Sequence, residues 1–219
     1  MATSKTIALG DCTLSVAVAS GFTDWQLVWN HADNESLRDA RDSPFCLAEG
    51  DQLAVPDLAP KEVTLATGAK YKFVVERPWA HLRVRLLQRD RDDDAKDQPL
   101  AGAACKLVVG DQTIEITTDG DGWADAKVPP LTRAATLTVA AGKDHPAIGW
   151  SLMVGELAPA DDPRGAADRL ANLGYGAPGE DAVACLPYAL RAFQEDAQLT
   201  VTGELDDATV DALAKQHGI

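Results

Sequence analysis

The sequence predicts an α+β multidomain chain: a strand–helix–helix–strand segment, an antiparallel β-sandwich and a three-helix bundle. Three observations lead there. Apolar residues recur at helical spacing towards both ends of the chain. In the middle their period changes to two, with turn residues between short runs. Charge divides the chain the same way. Residues 1–57 carry 3 basic and 9 acidic residues, residues 58–159 carry 13 and 14, and residues 160–219 carry 4 and 11. The expected domains are therefore 1–57, 58–159 and 160–219.

With 219 residues and 46% hydrophobic content the chain has enough apolar side chains for real cores. Its net charge of −14 argues against nucleic acid and anionic membrane surfaces as partners. The start, Met-Ala-Thr-Ser-Lys-Thr, lacks a basic stretch followed by an apolar run, so no signal peptide is expected and synthesis is placed in the cytoplasm. No stretch approaches a membrane span. Cys12, Cys46, Cys105 and Cys185 are scattered, without a zinc-ligand spacing. They read as reduced core cysteines, with a Cys12–Cys46 bridge as the alternative.

In the first segment, Asp24 can cap a helix over 24–30, in which Trp25, Val28 and Trp29 share a face. The two tryptophans read as core, or as sugar-stacking surfaces if exposed. A polar helix over 36–41 stops at Ser43-Pro44. Gly50-Asp51 then turns into a strand over 53–55. In the middle segment, strands are expected over 70–75, 82–86, 106–109, 113–117, 123–128 and 135–139. Asp119-Gly-Asp-Gly122 reads as a hairpin turn. A calcium loop of the helix–loop–helix kind would need ligands at Trp123 and Pro130, which cannot serve. The run from Asp90 to Asp97 reads as a solvated loop.

The last segment is three short helices. Ala166, Leu170 and Leu173 fall on one face of the first, which ends at Gly174. Leu186, Leu190 and Phe193 repeat the period in the second, with Pro187 in its first turn. Asp206 caps the third, and Val210 and Leu213 face inward. Helices this short must pack on one another.

The run from Arg169-Leu-Ala-Asn-Leu-Gly-Tyr175 through Ala189-Leu-Arg-Ala-Phe-Gln194 to Leu199-Thr-Val-Thr-Gly-Glu-Leu-Asp-Asp-Ala-Thr209 resembles a peptidoglycan-binding domain. The likeness covers about residues 161 to 219. It departs from the family where a second Gly-x-x-Asp-x-x-Thr turn would precede the central helix. There the chain reads Gly179-Glu-Asp-Ala-Val-Ala-Cys-Leu-Pro187. The resemblance implies a shallow groove beside the central helix, lined by Tyr175, Gln194, Leu205 and Thr209, with the amide of Gln194 open to a ligand peptide. On the plainer reading Leu205 is core, Thr209 is helix surface and Asp206 is only a cap. The first segment resembles a LysM domain through Gly10-Asp11, Gly21, Asn30 and Leu47-Ala-Glu-Gly-Asp-Gln-Leu-Ala-Val-Pro56. That likeness implies a glycan ligand, with Asp11 and Asn30 at its site. The middle run from Pro99 to Pro129 resembles transthyretin- or Ig-like modules.

No paired histidines, nucleophile elbow or catalytic cysteine signature is present, so no enzyme activity, cofactor or metal is expected. The succession of modules resembles accessory proteins of type VI secretion and related contractile injection systems. It implies a non-catalytic wall-binding protein, an accessory or cargo of such a machine, exported by it to the periplasm or a target cell. The partners implied are peptidoglycan or its fragments, with a spike or effector protein as the alternative.

Overall fold

The structure is a computed structural model describing residues 2–59, 62–74, 78–88, 97–142, 145–176 and 181–218. The chain divides into two compact units. One is built from Met1–Ala59 together with Gly155–Ile219, and the other from Pro60–Val154. Its described residues make a mixed α+β protein with six α-helices.

In the first unit, β1 (Thr3–Thr6) opens a segment that runs through α1 (Thr13–Ala19), α2 (Gln26–Trp29), a single 3₁₀ turn (Ala32–Asn34) and α3 (Glu35–Ala40) to β2 (Gln52–Val55). The two strands pair antiparallel, Thr3 opposite Val55 and Thr6 opposite Gln52. Helix α1 shows no helical period because Thr13 to Ala17 are all buried, so the sequence gives it no polar face. The core gathers Ile7, Val16, Val28, Leu37, Leu53 and Val55, with Trp25 and Trp29 half-buried against it. Asp24 accepts the Gln26 N–H at 2.9 Å, but the cap position of α2 falls one residue later, on Trp25, which makes no side-chain cap bond.

Asn34 ties this segment together. Its side chain is wholly buried. Nδ2 donates to the carbonyls of Val28 and Ala54, both at 2.8 Å, and Oδ1 accepts the Ala54 N–H at 2.7 Å. The helical layer is thereby bolted to β2.

The second unit is all β. Its strands are β3 (Ala80–Arg85), β4 (Leu87–Gln88), β5 (Gln98–Pro99), β6 (Ala104–Val109), β7 (Gln112–Thr117), β8 (Trp123–Val128), β9 (Ala134–Val139) and β10 (Ile148–Met153). They form an antiparallel sheet in the order β10-β9-β6-β7 and two further pairs, β3–β8 and β4–β5. Alternate residues of β6, β8 and β9 are buried in one cluster that includes Leu107, Val128 and Leu137. Ala80, Leu82 and Val84 of β3 pack against it.

Three expectations fail here. The described part of 70–75 is not a strand. Strand β10 was missed because five of its six residues are exposed, leaving no alternation to read. The Asp119–Gly122 turn is not a hairpin, since β7 and β8 pair with different strands and the turn carries the chain between them. Its carboxylate is consumed locally: Asp119 Oδ1 accepts the N–H groups of Asp121 and Trp123, both at 2.9 Å. Gly122 has φ +81, and a Cβ there would run into the Leu86 carbonyl. Most of the Asp90–Asp97 run lies outside the described residues.

The first unit is completed by α4 (Pro163–Asn172), α5 (Leu186–Asp196) and α6 (Asp207–His217). Ala166, Leu170, Leu186, Leu190, Phe193 and Leu213 form their common core.

Candidate functional site

Helices α4 and α6 start on side-chain caps, whereas α5 has none and carries Pro187 in its first turn. Asp162 caps α4, its Oδ1 accepting the Arg164 N–H at 2.8 Å, with Pro163 in the first turn. The helix ends where Gly174 takes φ +90 and Tyr175 N–H returns to the Leu170 carbonyl at 2.9 Å. Asp206 caps α6 twice over. Its Oδ1 accepts both the Thr209 N–H, at 2.8 Å, and the Thr209 hydroxyl, at 2.7 Å. Those bonds hold the Asp206 carboxyl below its ordinary value.

Gln194 of α5 is the centre of the arrangement. No part of it reaches solvent. Its Oε1 accepts the N–H groups of Thr202 and Gly203 at 3.0 and 2.8 Å. Its Nε2 has three acceptors in range: Thr202 Oγ1 at 3.0 Å, the Glu204 carbonyl at 3.0 Å and Thr209 Oγ1 at 2.9 Å. An amide has two protons and two lone pairs, so its capacity is fully used. Gln194 thus clamps the 202–209 turn onto α5, and the expectation that its amide is open to a ligand is corrected. Thr209 is likewise internal, not helix surface, because its hydroxyl serves both the clamp and the cap.

The other expected site residues fall as follows. Tyr175 is half-buried on the loop after α4. Its ring stands edge-on to Phe193 at 5.4 Å, and its hydroxyl donates to Asp196 Oδ2 at 3.0 Å. Leu205 is half-buried against the bundle core. Gly203 sits where a Cβ would meet the Arg191 side chain and the Pro187 carbonyl, so the turn lies directly on α5. Asp11 and Asn30 lie apart from these, in the 1–59 segment. The Asp11 carboxylate accepts the Ala8 N–H at 3.3 Å and faces Lys5 at 3.7 Å. Asn30 is exposed at the end of α2. The asparagine with structural consequence is Asn34, four residues on, which spacing alone did not single out.

A family model of the peptidoglycan binding domain matches residues 161–213. The match runs from just before the cap of α4 to Leu213, the last core residue of α6, and so spans the whole bundle core. The C-terminal helical segment is therefore similar to that domain. No curated protein and no solved structure matches the chain. Among the described residues no helix is long and apolar enough to cross a membrane, and no group of three or more potential metal ligands occurs. All four cysteines are unpaired in the structure.

Sequence reasoning also missed what joins the bundle to the first segment. Arg169, on α4, is almost fully buried. Nη1 donates to the carbonyls of Ala158 and Gly165 at 2.7 and 3.0 Å, and Nη2 points at Cys46 Sγ, 3.7 Å away. Among the described residues its Nε has no partner. Burial pulls the guanidinium below its ordinary value and pushes the Cys46 thiol up. Nearby, Arg41 grips Asp51 with two bonds, 2.8 and 3.0 Å, and approaches Asp161 at 4.0 Å. Burial works against ionising Asp51, but the Arg41 bonds and charge and the Ala48 N–H outweigh it and lower its value. Nothing in the spacing of Arg169 distinguishes it from a surface arginine.

Proposed function

We propose that this is a non-catalytic protein that binds peptidoglycan on the surface of its C-terminal bundle, beside α5 and the 202–209 turn. The observation that carries this reading is the Gln194 clamp. Five short contacts fix the turn before any ligand arrives, so little ordering has to be done on binding. Gln194 and Thr209 then support the site from beneath. Ligand contact falls to Leu205, to the half-buried edge of Tyr175 and to exposed Arg191, whose guanidinium can pair a stem-peptide carboxylate.

The strand–helix–strand segment at the start is a second, LysM-like glycan module in this reading, with Asp11 and Asn30 at its surface. Two weak modules on one chain would reinforce each other where both reach the wall. The accessory or cargo role in a contractile injection system, with export from the cytoplasm, belongs to the same proposal and rests on the succession of modules.

Sedimentation with insoluble peptidoglycan tests the reading. The full chain should be retained in moderate salt, and Arg191→Ala should reduce retention while melting like the parent. Absence of retention would instead support an adaptor that holds a spike or effector protein. That second reading is favoured by the internal position of two of the four bundle residues named for ligand contact. Co-purification of such a protein would establish it.

A further inference from the structure

We propose that the outward face of the β3–β8 pair is a carboxylate-binding surface that takes the stem peptides of peptidoglycan. The identity of the partner rests on the wall-binding reading above; the chemistry of the face does not.

Six side chains make this face, in three cross-strand pairs: Arg85 with Trp123, Arg83 with Asp125, and His81 with Lys127. Their alternate neighbours, from Leu82 and Val84 to Ala124 and Ala126, turn inward to the core. Five of the six are exposed, and Trp123 is half-buried beneath the arginines. The Arg83 guanidinium lies 4.7 Å from the centre of the Trp123 ring and that of Arg85 lies 5.8 Å from it. Arg85 Nε also donates to the Asp121 carbonyl at 3.0 Å. Stacking on an indole uses the flat side of a guanidinium and leaves its N–H edge for a planar anion.

The chain itself places one carboxylate here. Asp125 receives Arg83 Nε at 3.4 Å on one oxygen and faces His81 Nδ1 at 3.1 Å on the other. With Arg83, Arg85 and Lys127 against this single acid, the six positions keep a net positive charge. That excess matters in a chain of net charge −14 whose two terminal segments are both strongly acidic. Peptidoglycan stem peptides carry carboxylates, so those segments would repel the wall at long range. The β3–β8 face has the opposite sign and geometry suited to carboxylates.

The test uses the full chain, isotope-labelled, titrated with a soluble stem peptide bearing free carboxylates and with the same peptide amidated. The Trp123 indole N–H and the arginine Nε groups should shift with the free acid and not with the amide. Arg83→Gln combined with Arg85→Gln should weaken this binding about tenfold at low salt, while Lys106→Gln, on another strand, should not. No shift at Trp123, an equal response to the amidated peptide, or an unchanged affinity in the double variant would overturn the proposal. A Trp123 shift that appears on raising protein concentration without peptide would also overturn it, in favour of the acidic segments of a second copy. A Trp123 response to the free acid in a chain that peptidoglycan fails to retain would sink the wall-binding reading, and the identity of the partner with it, and leave the carboxylate-binding face standing.

Discussion

Gln194 Nε2 donates to Thr209 Oγ1 at 2.9 Å, and both side chains lie inside the bundle. The contact joins the last turn of α5 to the first turn of α6. Thr209 also completes the Asp206 cap, so one hydroxyl ties a helix start to the neighbouring helix. Gln194→Ala removes the shared partner and strands the hydroxyl and turn N–H groups. It should cost roughly 2–4 kcal/mol, read as a lower urea midpoint at unchanged slope. A variant that melts like the parent would show that water replaces the clamp.

Phe193 is the largest apolar side chain fully buried in the bundle, and Tyr175 meets its ring edge-on. Phe193→Ala should lose roughly 3–5 kcal/mol. Tyr175→Phe keeps the ring contact and gives up the exposed hydroxyl bond to Asp196, so it should cost much less than Phe193→Ala. Thermal melts of the two variants should separate clearly.

Arg169 brings a charge inside without a carboxylate in bonding contact among the described residues. Replacing a buried charge by an apolar side chain of similar length is often tolerated, whereas truncation leaves a hole. Arg169→Met should therefore stay within about 1 kcal/mol of the parent, and Arg169→Ala should lose about 2–4 kcal/mol. Equal losses in both would mean that the bonds to Ala158 and Gly165 dominate.

His217 links the same arginine to pH. Burial first, and the Arg169 charge second, lower it from 6.5 to about 4. Its Nε2 lies 3.1 Å from Asn172 Nδ2, and Nδ1 has no partner among the described residues. The folded chain keeps this imidazole neutral while the unfolded chain takes up the proton. Stability should then be full above about pH 6.5 and decline as the pH falls towards 4. The side chain is only partly enclosed, so solvent screening limits the loss to about 1–2 kcal/mol. His217→Gln should flatten the decline in urea melts taken across that window. Arg169→Met should make the decline smaller and end it at a higher pH, because without the neighbouring charge the folded-state value moves back towards 6.5.

The bundle was legible in the sequence because its helices carry their own punctuation: Asp162 and Asp206 at the starts, Gly174 at an end, and Leu or Phe every third or fourth residue. The edge strand β10 and the buried helix α1 were not, since one has no hidden face and the other no open one. The resemblance to the peptidoglycan-binding domain placed Gln194 beside the 202–209 turn, but it could not say that the turn would consume every bond the amide can make. Asn34 and Arg169 escaped for a related reason. Each is a polar residue whose partners are mainly backbone carbonyls, and no residue type in the sequence marks a carbonyl as a partner.

The unit built from residues 1–59 and 155–219 is discontinuous in the chain. During synthesis its first part leaves the ribosome long before α4 exists, so the surface that Arg169 will close waits in water. The β unit is complete sooner and can fold while that surface is still open. In a chain stopped after Val154, Cys46 and Arg41 lack the partners that residues 155–219 bring, so its first 59 residues should be cut by proteases more readily than those of the full chain.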